Sequence, residues 1–190
     1  MPALLPPELE LKTIKDINDI TSEECNYTRC TFEGCDLSDL KFYGTFDNCI
    51  FKDCNLSLTS FQFAKLQGVK FQSSKLVGVD FTQVNALAMN IGFKECLLRS
   101  CNFNNLDLRK TNFTDCDIIE TDFISANLKE SNFCNTTFRS VTFHDTNLLR
   151  ANFTGAHDYS INPMTNQIKG AIFNLPDAVA LLECMGIRLQ

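Results

Sequence analysis

A five-residue period runs through most of this 190-residue chain and constrains its fold more than any other feature. From Thr111 to Phe153 the sequence reads TNFTDCDIIETDFISANLKESNFCNTTFRSVTFHDTNLLRANF. Cut after every fifth residue, it aligns as a small residue, usually Asn or Asp, then Phe or Leu, then two variable positions. Self-similarity at a short fixed period marks a solenoid, in which each unit buries its apolar face only against its neighbours. Fold therefore comes from the repeat, and function has to come from what decorates it.

Central residues recur from Tyr27 to Ala86 and resume from Phe93 to Phe153, giving 26 units. One residue is missing between Phe42 and Phe46, and two are extra between Ala86 and Phe93. Fifteen of the seventeen phenylalanines are central, and aromatic and aliphatic centres mostly alternate. The extra residues place a bulge at Leu87–Gly92, read either as refilled into the core or as a partner contact through Leu87, Met89 and Ile91.

The acids outnumber the bases, for a formal charge of −6, which disfavours direct binding to nucleic acid or an anionic membrane. The opening MPALLPPELELK lacks the basic start and long apolar core of a signal peptide, and no run approaches a membrane span. A cytoplasmic protein is expected. Residues 1–24 hold six acids and an alternation around Leu9, Leu11 and Ile14 that suits a capping strand over the open end of the coil.

Eight of the ten cysteines (Cys25, Cys30, Cys35, Cys49, Cys54, Cys96, Cys101 and Cys116) fall on the small position two before a centre. They read as reduced core thiols packing like small hydrophobes rather than as disulfides or metal ligands. Only His144 and His157 could add imidazole, and neither has ligand spacing around it. No phosphate loop or nucleophile elbow occurs, so no catalytic residue, metal or cofactor is expected.

After Phe153 the period fades, and an irregular cap is expected before LPDAVALLECMGIRLQ. Pro176 suits a first helical position, Asp177 the positive helix start and Gly186 the residue past the end, for a helix of about ten residues. Ala178, Leu181, Leu182 and Met185 form an apolar stripe that has to dock on the coil or on a second chain. Ile187 and Leu189 alternate as a short strand that could pair across a twofold. Three segments result: an N-terminal cap at 1–24, the repeat at 25–155, and a C-terminal cap and dimerisation helix at 156–190.

The units TDFIS, ANLKE, TNFTD and ANFTG resemble the pentapeptide-repeat family, whose consensus is A(D/N)LXX, over roughly residues 25–155. The resemblance implies an all-β solenoid, a right-handed quadrilateral β-helix with four units per coil and a short C-terminal α-helix. On that geometry Phe32, Phe51, Phe71, Phe93, Phe113, Phe133 and Phe153 stack on one wall. Phe42, Phe61, Phe81, Phe103, Phe123 and Phe143 stack on the wall opposite.

The stretches CNLSLTSF, VKF and SKLVGVDFT, and the tail SINPMTNQIKGAIFNLPDAVALLECMGIRL, are similar to the albicidin-resistance and microcin-immunity proteins, relatives of the Qnr quinolone-resistance group. That resemblance implies a homodimer joined through C-terminal helices. It also implies an acidic rod that imitates duplex DNA in the saddle of DNA gyrase or topoisomerase IV and protects the enzyme. The wall carrying Asp80, Asp122 and Asp145 against Lys41 would then face the partner. The wall with Arg29, Lys65, Arg109, Lys110, Lys129 and Arg150 is basic. A non-catalytic scaffold or effector for an unrelated partner remains the alternative.

Overall fold

The computed structural model describes residues 7–16, 18 and 24–187. The chain winds as a right-handed, four-walled parallel β-helix. The first wall pairs Glu8–Glu10, Asn26–Thr28, Thr45–Asp47 and Lys65–Gln67. The second stacks Thr13–Ile14, Thr31–Glu33, Ile50–Lys52, Val69–Gln72, Ile91–Lys94 and Phe113–Thr114. The third joins Lys75–Val77, Leu97–Arg99, Asp117–Ile119 and Thr137–Arg139. The fourth is held by single bridges, such as Lys41 to Ser60 and the row Asp80, Asn102, Asp122, Thr142.

Register follows the period and its two interruptions. Phe51 lies opposite Phe71 and Phe93 opposite Phe113, one regular coil apart. The missing residue shortens the step from Phe32 to Phe51 to 19, and the two extra ones lengthen that from Phe71 to Phe93 to 22. The ladder overruns the 25–155 boundary at both ends. Leu9 pairs with Tyr27 and Ile14 with Phe32 in coils of only 18 residues, so both work as centres, whereas Leu11 is an exposed corner. Beyond Phe153 the chain runs as bends and turns over 158–166, as expected, yet keeps the 20-residue step on the first and second walls. Asn147 bridges Gln167, Asn152 bridges Ile172, and Phe173 stacks on Phe153 at 4.9 Å.

Both aromatic columns form as the alternation implies. Rings on the second wall stack at 4.5–5.2 Å from Phe32 to Phe173. Those on the fourth stack from Phe42 to Phe143. Across the axis the columns meet edge to face, as Phe103 meets Phe113 at 5.8 Å and 89°. Stacked and T-shaped contacts are the two arrangements the ring quadrupole favours, and here one lattice supplies both.

Corners need a second conformational device. Two residues after nearly every centre the backbone turns left-handed, as at Asp115 (φ 57°), Ser125 (56°) and Asn135 (56°). Where the central carbonyl also accepts the amide three residues on, as from Phe123 to Ala126 and Phe133 to Thr136, the corner is a type II turn. At the position before the centre, Asn or Asp accepts the amide two residues on, as Asn102 does from Asn104 and Asn152 from Thr154. This local turn is equally available to both residue types, which is why they interchange there.

The small position carries more than volume. Its polar members donate to a central carbonyl of the preceding coil: Cys49 to Tyr27 at 3.2 Å, Thr59 to Leu37 at 2.8 Å, Cys101 to Leu76 at 3.4 Å and Thr146 to Phe123 at 2.8 Å. The eight cysteines are buried and reduced, as their spacing predicts, and several act as donors as well as filler. Burial pushes the Cys49 and Cys101 thiols up to about 12 and that of Cys54 up to about 11. Ser74 shows what the position contributes: it donates to Gln72 and Phe51 carbonyls and accepts the buried amide of Cys54 at 3.0 Å. Ser74→Ala orphans that amide, and denaturant titration should show a loss of about 1–3 kcal/mol. A change below about 0.5 kcal/mol would refute the capping role.

At the two-residue insertion the centre assigned to Ala86 is corrected. Ala86 is exposed within a 3-10 turn at Ala86–Ala88, and Met89 packs against the core in its place. Ile91 is likewise no surface residue, being paired with Val69 and 4% exposed. Of the three bulge residues only Leu87 stands fully in solvent, at 98%. Two extra residues let the chain loop outward and bring a longer side chain back to the slot.

Candidate interaction surface

With the interior filled by rings, chemistry is confined to the outward positions and the two ends. Each wall shows rows of side chains one coil apart, about 4.8 Å. On the fourth wall Asp80 and Asp122 share one row with Asn102 between them, whereas Asp145 sits at the next corner. Asp80 is spent partly on the backbone: it accepts the Thr82 amide at 3.0 Å and the Thr82 hydroxyl at 2.6 Å. Asp145 lies 3.5 Å from the His144 ring. The structure therefore brings Asp80 and Asp122 together and sets Asp145 apart.

The third wall adds acids that the wall-by-wall reading missed. Asp39 stands exposed at the left-handed corner between the third and fourth walls and makes no ion pair among the described residues. On the row before it, Asp36 bonds the Ser38 hydroxyl and amide, which hold its carboxyl below the usual range. Farther along, Arg139 neutralises Asp117 and Arg99 neutralises Glu120. Corner residues belong to two walls at once, and a count that assigns each to one wall overlooks that sharing.

The first wall is basic and internally tied. Glu130 lies 3.7–3.8 Å from Lys110, Lys129 and Arg150, Arg109 holds Asp107 at 2.7 Å, and Arg29 pairs with Glu10. The Arg109 guanidinium keeps the Asp107 carboxyl below its ordinary range. Lys65 is exposed on the same wall.

At the C-terminal end the helix spans Val179–Glu183, half the expected length. Residues 174–180 form tight turns instead, with an i to i+4 bond from the Ala178 amide to the Asn174 carbonyl and i to i+3 bonds after it, and Asp177 does not cap the helix start. Its carboxylate takes His157 at 3.0 Å and Asn174 at 3.4 Å, fastening the segment to the last coil. The helix closes with the amides of Gly186 and Ile187 on the carbonyls of Glu183 and Leu182, with Gly186 at φ 77°. That is the Schellman arrangement, and glycine is needed for it.

The apolar stripe is split. Leu181 packs against the core and Ala178 is half-buried, whereas Leu182, Met185 and Ile187 are 38–47% exposed. Ile172 and Leu175 are exposed as well. Leu189 lies outside the described residues. No helix among the described residues is long and apolar enough to cross a membrane.

The sequence matches the family model described as pentapeptide repeat region over residues 25–99 and 86–162. No curated protein matches it. Among solved structures, the chain is similar to two trypsin-treated variants of QnrB1, described as a plasmid-mediated fluoroquinolone resistance protein. Each is 17% identical over 97% of this chain and 98% of the other, with TM-scores of 0.66 and 0.75. Full-length QnrB1 is 17% identical over 95% of this chain and 100% of its own, with a TM-score of 0.57. At that identity the likeness speaks for the backbone fold alone.

Proposed function

This chain belongs to the pentapeptide-repeat family, and from that premise we propose that it is a cytoplasmic, non-catalytic rod that docks on DNA gyrase or topoisomerase IV in place of duplex DNA and protects the enzyme from an antibiotic or peptide toxin. The observation that carries this reading is the fourth wall, where Asp80 and Asp122 face outward in one row with Asp39 at the corner it shares with the third wall, on a rod whose whole length follows that of QnrB1. A basic DNA saddle rewards carboxylates presented at fixed spacing, and such binding weakens with salt.

Magnitudes say how far the imitation goes. From Phe81 to Phe143 the fourth wall climbs three coils, about 14 Å. Duplex DNA would present about eight charges over that rise, against Asp80, Asp122 and Asp145 here. Shape and surface contact must therefore supply much of the affinity, with the acids setting register. The test is a supercoiling assay with a cleavage-stabilising inhibitor. Wild-type protein should rescue the enzyme, and the triple variant Asp39→Asn, Asp80→Asn, Asp122→Asn should need at least about tenfold more protein. Asn keeps the local turn at residue 80, so the variant should fold. Absence of any effect by the wild type would overturn the proposal.

Residues 156–190 would both close the coil and join two chains through Leu182, Met185 and Ile187. Leu182→Glu should then give monomers in light scattering, and a persisting dimer would refute that seam. The second reading, a scaffold for an unrelated partner, draws its support from the basic first wall, which a DNA mimic does not use.

A further inference from the structure

The second wall, opposite the acidic one, contains a hollow that neither the repeat nor the proposed function requires. Its outward row runs Ile50, Lys70, Gly92, with Asn112 following on the next coil. Gly92 leaves a gap in that row. A Cβ built there would meet nothing closer than the Asn112 carbonyl at 3.9 Å, and its φ is not left-handed, so backbone geometry does not demand glycine. The insertion places Asn90 beside this gap, and the two flank an open hollow of about 470 Å³.

Three lysines from three successive coils line it: Lys70 directly opposite Gly92, Lys94 two residues on along the same face, and Lys110 at the corner leading into Asn112. No carboxylate is among the lining side chains. Lys94 reaches Glu95 at 3.2 Å and Lys110 reaches Glu130 at 3.7 Å, both outside the cavity, and Lys70 has no ion pair among the described residues. Elsewhere on this wall cations are matched, as Lys52 is by Glu33 at 2.7 Å. The hollow is thus a concave site lined by three ammonium groups, of which Lys70 has no ion pair among the described residues, with side-chain amides as further donors.

We propose that this hollow binds a compact multi-phosphate anion, the phosphate chain of a nucleotide or an inorganic polyphosphate. Ammonium groups act as point charges toward phosphate, and several oxygens are needed to engage three of them at once. The three lysines stand on three successive coils, each about 4.8 Å from the next, so an anion with oxygens strung along a chain suits the set better than sulfate. The site is independent of topoisomerase docking because it lies on the opposite wall.

Calorimetric titration of the full chain with inorganic triphosphate at low ionic strength tests it. One-to-one binding is expected, with ATP binding comparably if the phosphate chain is what is read and sulfate binding far more weakly. Lys70→Gln should raise Kd by about tenfold. Gly92→Leu, which the open space should admit without unfolding, should abolish binding, whereas Lys169→Gln on the first wall should leave it unchanged. Absence of saturable binding, equal affinity for sulfate, or an affinity unmoved by both Lys70→Gln and Gly92→Leu would overturn the assignment.

Discussion

Raising the pH from 9 to 11 should remove about 3–5 kcal/mol of stability through Cys49 and Cys101 alone, allowing for solvent screening. Both thiols are buried and held up to about 12, whereas an unfolded thiol ionises near 9. Above 9 the unfolded chain loses protons that the folded chain retains, so the folded state is penalised at about 1.4 kcal/mol per group per pH unit. The contribution is therefore complete below pH 9 and disappears as pH climbs toward 12. Denaturant midpoints measured across this range should fall steeply, and Cys49→Ser with Cys101→Ser should flatten the slope, since Ser74 shows that a hydroxyl suits this position. A wild-type slope no steeper than that of the double variant would refute the assignment.

Phe113→Ala should cost about 3–5 kcal/mol. Phe113 is fully buried, stacked between Phe93 and Phe133 at 5.1 and 5.0 Å and met edge-on by Phe103 and Phe123 at 5.8 and 5.6 Å. Each of these rings is pinned by its own rung, so the surroundings cannot collapse into the vacancy. Phe63→Ala is the internal control. Phe63 is 69% exposed at a left-handed corner, and its loss should stay within about 0.5 kcal/mol. Equal losses in the two variants would refute the column assignment.

The interior was legible because each inward side chain has to meet its counterpart one coil away. Spacing thus located the central residues and both register corrections, and the four-unit coil implied by the family resemblance sorted the phenylalanines into two columns. Leu9 and Ile14 were legible as a capping strand but not as centres, and Phe173 escaped, because steps of 18 residues and an interrupted last coil break the five-residue frame that the eye follows. Ala86 was misassigned because counting cannot say which of two extra residues leaves the wall; the size of Met89 was the available signal. The outer surface was far less readable. An aspartate such as Asp80 serves the local turn as well as asparagine would, so its charge is only partly a statement about a partner. Asp39 was overlooked for a geometric reason, since a corner residue serves two walls. The split of Leu181 from Leu182 likewise depends on where the last coil ends, which no local pattern encodes.

The registers have a kinetic meaning. Every rung among the described residues joins positions only 18 to 22 apart, so the relative contact order of this all-β chain is about 0.1, a value typical of helical bundles. No strand waits for a distant partner: each coil, once made, templates the one that follows it. A chain emerging from the ribosome can therefore wind from its N-terminal end as it is synthesised, adding one level for about every twenty residues delivered. The rod's assembly is vectorial, and the segment that fastens through Asp177 onto His157 is the last to find its place.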